Sequence, residues 1–177
     1  GVPDVLMRPD NLATDTAKSI DVIEHAVRSL ERQNQVYDYL ALLEPTSPLR
    51  ETKDIDESIR LLLENRSGAV SLVSVCKIEA THPAFMVRIR QNHLLRPYKK
   101  ISIRSSSRRQ DISDLYFLEG TMYLSHIGEL LNHRGFVHEK TLAYIVSKWK
   151  AFEVDDIVDF FCIEAILKNL KSIKQRF

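Results

Sequence analysis

The chain has 177 residues, 25 Lys and Arg against 24 Asp and Glu, and a formal net charge of +1. That length fits one domain with a real core, and the charge balance excludes a simple polycation. Hydrophobic residues at 44% and charged residues at 28% are ordinary for a soluble globular protein. No apolar run approaches the roughly 20 residues of a membrane span. No leader is visible, so no membrane contact and a cytoplasmic location are expected. Cys76 and Cys162 sit among apolar residues and read as buried thiols rather than a disulfide or part of a metal site. The glycines are Gly1, Gly68, Gly120, Gly128 and Gly135. Neither GxGxxG nor GxxxxGK[ST] can be written from them, so a phosphate-cradling loop is either unused or not in this chain.

Asp15 and Thr16 precede Ile20, Val22, Ile23, Ala26, Val27 and Leu30 at helical spacing. This predicts a helix over 16–32 with Asp15 or Thr16 as its cap. Tyr39 to Leu43 reads as a buried strand, apolar on both faces and so parallel. A loop follows, Glu44-Pro45-Thr46-Ser47-Pro48-Leu49-Arg50. Thr52 then opens a second helix with Ile55, Ile59, Leu62 and Leu63 on one face, and Ala69 to Val75 is β-branched and strand-like. Strand, helix, strand in that order argues for a βαβ unit. Met86 to Arg90 alternates like a half-exposed strand. Tyr116 to Leu124 predicts a strand interrupted at Gly120, with Ser125 capping a short helix. Thr141 to Val146 is strand-like, and Ile157 to Ile173 predicts one terminal amphipathic helix.

Three features could carry chemistry. From Ala80 to Gln110 there is no acidic residue, while Arg88, Arg90, Arg96, Lys99, Lys100, Arg104, Arg108 and Arg109 fall within it. That pattern fits an anion site or, equally, an edge hairpin defended by cations. Nucleic acid is disfavoured because the chain is charge-balanced and lacks a reader motif. Second, in Phe152-Glu153-Val154-Asp155-Asp156 the carboxylates of Glu153 and Asp155 project together if the segment is extended. They suit Mg²⁺, or form part of an acidic helix N-terminus. Third, the Pro-Thr-Ser-Pro loop leaves the end of a strand, where open α/β sheets bind ligands; it is also a plausible ordinary turn. The six histidines show no zinc spacing.

Taken together, several segments resemble the acylneuraminate cytidylyltransferases, the CMP-sialic acid synthetases. They are Arg8-Pro9-Asp10-Asn11-Leu12-Ala13-Thr14-Asp15-Thr16-Ala17-Lys18-Ser19, the 42–50 stretch ending Pro45-Thr46-Ser47-Pro48-Leu49-Arg50, Gly120-Thr121-Met122-Tyr123, Gly135-Phe136, and Phe152 to Asp155 running on to Asp159-Phe160. The resemblance implies a Rossmann-like three-layer α/β nucleotidyltransferase domain with a mostly parallel sheet. Residues 1–80 and 137–177 would form that core, and 81–136 a dimerisation and substrate lobe. It implies transfer of CMP from CTP to a nine-carbon 2-keto sugar acid, with Mg²⁺ as cofactor and a homodimer as the working form. By resemblance Glu153 and Asp155 hold the metal, and Arg8 and Ser19 lie near the nucleotide. Glu44, Thr46 and Ser47 line the sugar pocket, Arg109 meets the substrate's negative charge, and Tyr123 forms the pocket floor. Phe136 would reach into the neighbouring subunit's site.

The departures point to the sugar. Family members often carry Gln at the position of Glu44 and Asp at that of Glu153, and Phe85 stands near a lysine of some members. These changes fit a legionaminate-like or pseudaminate-like nonulosonate. The family's N-terminal strand and its PARxGSKxxxxKN loop have no counterpart here. A chain without the first βα unit is expected not to fold as a stable active enzyme on its own. The alternatives are a 3-deoxy-manno-octulosonate cytidylyltransferase, a non-catalytic truncated homologue acting as a binding module, and, weakest, a basic RNA-binding module.

Overall fold

Apolar residues at three- to four-residue spacing produce α1 (Ser19–Glu31), which buries Ile23 and Val27. The computed structural model describes residues 6–79, 81–91, 93–98 and 113–176. The helix begins later than its sequence pattern predicts. Ala17 N–H bonds to the Thr14 carbonyl at 3.1 Å, which spends residues 14–17 on a turn. Lys18 is therefore the N-cap, without a side-chain cap bond.

Helix α2 (Thr52–Glu64) opens with a capping box between Glu51 and Asp54. Its buried stripe runs through Asp54, Ser58 and Leu62, with Ile55 partly buried beside it. Ile59 and Leu63, expected on that face, are exposed. They lie one residue, about 100°, round the helix from Ser58 and Leu62. The small Ser58 occupies the place where a larger side chain was expected.

The strands are β1 (Tyr39–Leu42), β2 (Ser71–Lys77), β3 (Val87–Ile89), β4 (Leu95–Pro97), β5 (Tyr116–His126) and β6 (Thr141–Ile145). Four of them form a sheet in the order β1-β5-β2-β6, and β3 and β4 form a separate antiparallel hairpin. β5 pairs antiparallel with β1, Tyr39 facing His126 and Leu42 facing Tyr123. It also runs against β2: His126 N–H bonds to the Val70 carbonyl at 2.9 Å and Ile78 N–H to the Leu115 carbonyl at 2.8 Å. β2 and β6 run together, with Val70 N–H on Lys140 O and Val146 N–H on Val75 O. Thus β1, β2 and β6 share one direction, as the expected mostly parallel α/β sheet requires, and β5 alone opposes them. The predicted βαβ unit is present, but β5 lies between its two strands. Among the described residues β1 sits at the sheet edge, pairs only with the antiparallel β5 rather than with a parallel neighbour, and is half-buried, not fully buried as its apolar run suggested.

Further differences concern β5 and the C-terminal helices. β5 is continuous through Gly120, and Ser125 lies inside it. The following α3 (Ile127–His133) takes His126 as its N-cap, with no side-chain cap bond. The predicted terminal helix is two: α4 (Ile157–Lys168) and α5 (Leu170–Lys174). They divide at Asn169, whose side chain turns back to the Ala165 carbonyl at 2.8 Å. Nor is α4 amphipathic, since Ile163 is buried while Ile157, Val158, Phe160, Phe161 and Leu167 are exposed. Cys162 on this helix is exposed and Cys76 is buried. Burial pushes the Cys76 thiol above its usual range.

The chain divides into two compact units. The first takes the described residues of 1–45, 50–73 and 121–144. Here Met122, Leu124 and Leu72 pack on Leu62 of α2, while Leu40, Leu42 and Phe136 group with Ile23, Val27 and Leu130 of α1 and α3. Alternation along the strands thus builds helix, sheet and helix layers. The second takes the described residues of 46–49, 74–120 and 145–177, and its cluster joins Leu49, Trp149 and Ile163.

Leu62 is fully enclosed, so Leu62→Ala should cost about 2–5 kcal/mol. Ile59→Ala should cost well under half as much, as urea unfolding would show.

Candidate functional site

In the second unit the site begins with a backbone bond. Val154 N–H donates to the Thr46 carbonyl at 2.9 Å, which fastens the Pro-Thr-Ser-Pro loop to the segment carrying Glu153 and Asp155. Next to it, Gly120 N–H donates to Glu153 Oε1. Ser47 is buried beside the same glycine: a Cβ on Gly120 would stand 2.5 Å from Ser47 Oγ and 3.0 Å from Glu153 Oε1. A glycine inside a strand commonly marks such a close approach. Ser47 Oγ has no hydrogen-bond partner among the described residues. Thr46, Ser47, Glu153 and Asp155 are thus held together.

The acidic cluster before α4 resolves into two parts. Asp156 is the N-cap of α4 and forms a capping box with Asp159. Asp155 gives its N–H to Asp159 Oδ2 at 3.2 Å, and the box itself uses neither its carboxylate nor that of Glu153. Those two carboxylates offer hard oxygen donors suited to Mg²⁺, which takes one or two carboxylates and completes its shell with water and phosphate oxygens. Among the described residues no three His, Cys, Asp or Glu side chains could hold an ion together. The amide on Glu153 is the kind of outer contact that orients a metal-binding carboxylate.

The first unit holds Arg8, Ser19, Glu44, Tyr123 and Phe136. Arg50 donates through Nε to the Thr121 carbonyl and through an Nη to the Glu44 carbonyl at 2.8 Å. Glu44 is half-buried at this strut. Tyr123 points to the opposite sheet face from Met122 and Leu124, and its ring meets that of Phe136 at 5.4 Å between centroids. Phe136 is half-buried against its own chain. Its carbonyl accepts from Thr141 Oγ1 at 2.9 Å and from Ser71 Oγ at 2.9 Å. Ser19 is exposed in the first turn of α1, where unpaired amides favour anions, and Arg8 is exposed before it. Arg109 lies outside the described residues.

No family model matches the chain. Curated proteins do match. It is 28% identical over 159 residues to an N-acylneuraminate cytidylyltransferase of Escherichia coli O18:K1:H7, covering 89% of this chain and 35% of that protein. It is 22% identical over 166 residues to a CMP-N,N'-diacetyllegionaminic acid synthase of Legionella pneumophila, covering 92% and 68%. It is 22% identical over 155 residues to a pseudaminic acid cytidylyltransferase of Campylobacter jejuni, covering 86% and 64%. The chain is thus similar to curated proteins named as cytidylyltransferases or synthases of acylneuraminic, legionaminic and pseudaminic acids. It spans about a third of the length of the first of these relatives.

Two residues of this site were not singled out by the sequence. Arg50 ends the Pro-Thr-Ser-Pro-Leu-Arg stretch, and Gly120 opens Gly-Thr-Met-Tyr; both lay inside recognised segments without a role. The mid-strand glycine was the legible signal for the second. The strut made by Arg50 was not legible, because its acceptors are backbone carbonyls 6 and 71 residues away.

The turn behind Phe136 contains a histidine pair. His138 and His133 stack at 4.2 Å between centroids. Lys140 N–H donates to His138 Nδ1 at 3.2 Å, leaving the proton on Nε2, 3.2 Å from Ser71 Oγ. Burial, then the neighbouring His133, holds the His138 pKa below its usual 6.5. The unfolded chain therefore takes the proton first. This group's contribution to stability is complete above pH 6.5 and declines as pH falls from 6.5 toward the folded value. An NMR titration of the His138 ring should give a midpoint below 6.5, and a midpoint at or above it would contradict the assignment.

Proposed function

We propose that the protein is a cytidylyltransferase that activates a nine-carbon 2-keto sugar acid. The anomeric hydroxyl attacks the α-phosphorus of CTP, the new P–O bond forms the CMP-sugar, and pyrophosphate leaves. One observation carries this reading: the Val154 to Thr46 bond fastens the loop that carries Thr46 and Ser47 to the segment that carries Glu153 and Asp155. A loop with hydroxyl donors suits a polyhydroxylated acid, and paired carboxylates suit the metal that accompanies a triphosphate. The similarity to proteins named for sialic, legionaminic and pseudaminic acids supports the same substrate class.

The residues divide the work as follows. Glu153 and Asp155 would hold Mg²⁺. Bound there, the ion would supply charge neutralisation at the phosphates and help align attacker and leaving group. Ser19, in the first turn of α1, and Arg8 would bind the nucleotide, the helix amides favouring phosphate. Thr46 and Glu44 would orient the sugar, with Glu44 accepting from a sugar hydroxyl or amide N–H, while Ser47, expected in the pocket lining, is buried and supports the loop from behind. Its negative charge beside an anionic acid favours a modified nonulosonate of legionaminate or pseudaminate type. Tyr123 would form the floor of the pocket, and Arg109 would pair with the substrate's negative charge, for which its planar fork is suited. A cytoplasmic homodimer, with Phe136 serving the neighbouring site, is part of this reading. No helix of the described residues is long and apolar enough to cross a membrane.

Pyrophosphate release by the protein as encoded, with CTP, Mg²⁺ and a panel of nonulosonates, tests the proposal. Asp155→Ala should lower turnover about 100-fold or more. Rates near those of the unsubstituted protein would overturn its metal role, and no release with any nonulosonate would overturn the activity.

A further inference from the structure

We infer that Gly120 is a positioning residue for the metal-binding carboxylate of Glu153, and that it must be glycine for that reason. The inference rests on the metal reading proposed above. Gly120 contributes two separate things. Its N–H donates to Glu153 Oε1, giving the carboxylate a fixed point on the rigid frame of β5. Its missing side chain leaves the space in which that carboxylate sits, since a Cβ would press on Ser47 Oγ at 2.5 Å and on Glu153 Oε1 and Cδ at 3.0 and 3.2 Å.

Backbone freedom does not explain this glycine. No glycine among the described residues has positive φ. Gly120 lies in an ordinary extended strand, where glycine is intrinsically unfavourable. What remains is close approach. Ser47 is fully buried and the backbone of its loop is fastened by the Thr46–Val154 bond, so the residue cannot withdraw as a whole and its hydroxyl has little free space to turn into. The carboxylate is the more movable group, and a Cβ at position 120 would displace it. Ser47 thus acts as the back wall of the same device.

Mn²⁺, standing in for Mg²⁺, provides a readout apart from turnover. Its affinity is measured by electron paramagnetic resonance with CTP and without sugar. Gly120→Ala should weaken Mn²⁺ binding about tenfold or more. In a Glu153→Gln background the same substitution should add little, because the two act through one carboxylate. Equal binding by Gly120→Ala and the unsubstituted protein, or full additivity with Glu153→Gln, would overturn the positioning role. Absence of CTP-dependent Mn²⁺ binding in the unsubstituted protein would instead overturn the metal reading, and this role with it. Should Gly120→Ala fail to fold, the Gly120 amide resonance of the unsubstituted protein decides. Mg²⁺ with CTP should shift it, and Glu153→Gln should abolish that response. A resonance indifferent to both overturns the inference.

Discussion

A single main-chain contact, Val154 N–H on the Thr46 carbonyl, organises the second unit. The loop around it is fixed in several ways. Ser47 and Leu49 are buried, while Pro45 and Pro48 face outward. Proline suits those outward positions because it has no N–H to satisfy and its φ is already restricted. Leu49 then enters the cluster with Trp149 and Ile163, so the loop is also secured by apolar burial. Because Val154 stands between Glu153 and Asp155, whatever holds the loop also holds the carboxylates. Local sequence thereby sets the geometry on which ion binding would depend.

The first unit is fixed differently. Tyr144 carries its hydroxyl to Asp54 and Glu57 of α2, at 3.2 and 3.0 Å. Its pKa is pushed well up, by burial first and then by those carboxylates, so the phenol remains a donor at any physiological pH. Asp54 also closes the capping box, and one buried carboxylate thus ties the start of a helix to a strand. Arg134, in the left-handed region at φ 52, meets Asp21 and Glu24 of α1 from the end of α3. Such exposed pairs add little stability, and the apolar clusters carry most of it.

Much of this was legible in the sequence. Helical spacing located α1 and α2, and β-branched runs located β2 and β6, because one face of each must meet a core. The loop and the carboxylate pair were legible as segments of a recognised family. What escaped were matters set by distant partners. Ile59 and Leu63 fit a helical face by spacing, yet Ser58 lies on the buried one. Gly120 looked like a strand breaker, and only Ser47 and Glu153 show why it is a continuous strand residue. Cys162 and the apolar residues of α4 looked like core, since composition does not reveal which side of a helix is covered.

The place of β5 has a consequence for synthesis. Residues 39–42 and the 70–77 region leave the ribosome well before residues 115–126, which alone join them. A simple βαβ segment could zip up as it emerges, but here the two parallel strands must wait for the oppositely directed one. Their order of assembly is therefore not their order of translation. The long separation between partners slows closure of the sheet, since loop entropy must be lost before the pairing rewards it. Until then the edges of β1 and β2 that β5 will join lack it, and pairing with another chain competes with closure of the sheet.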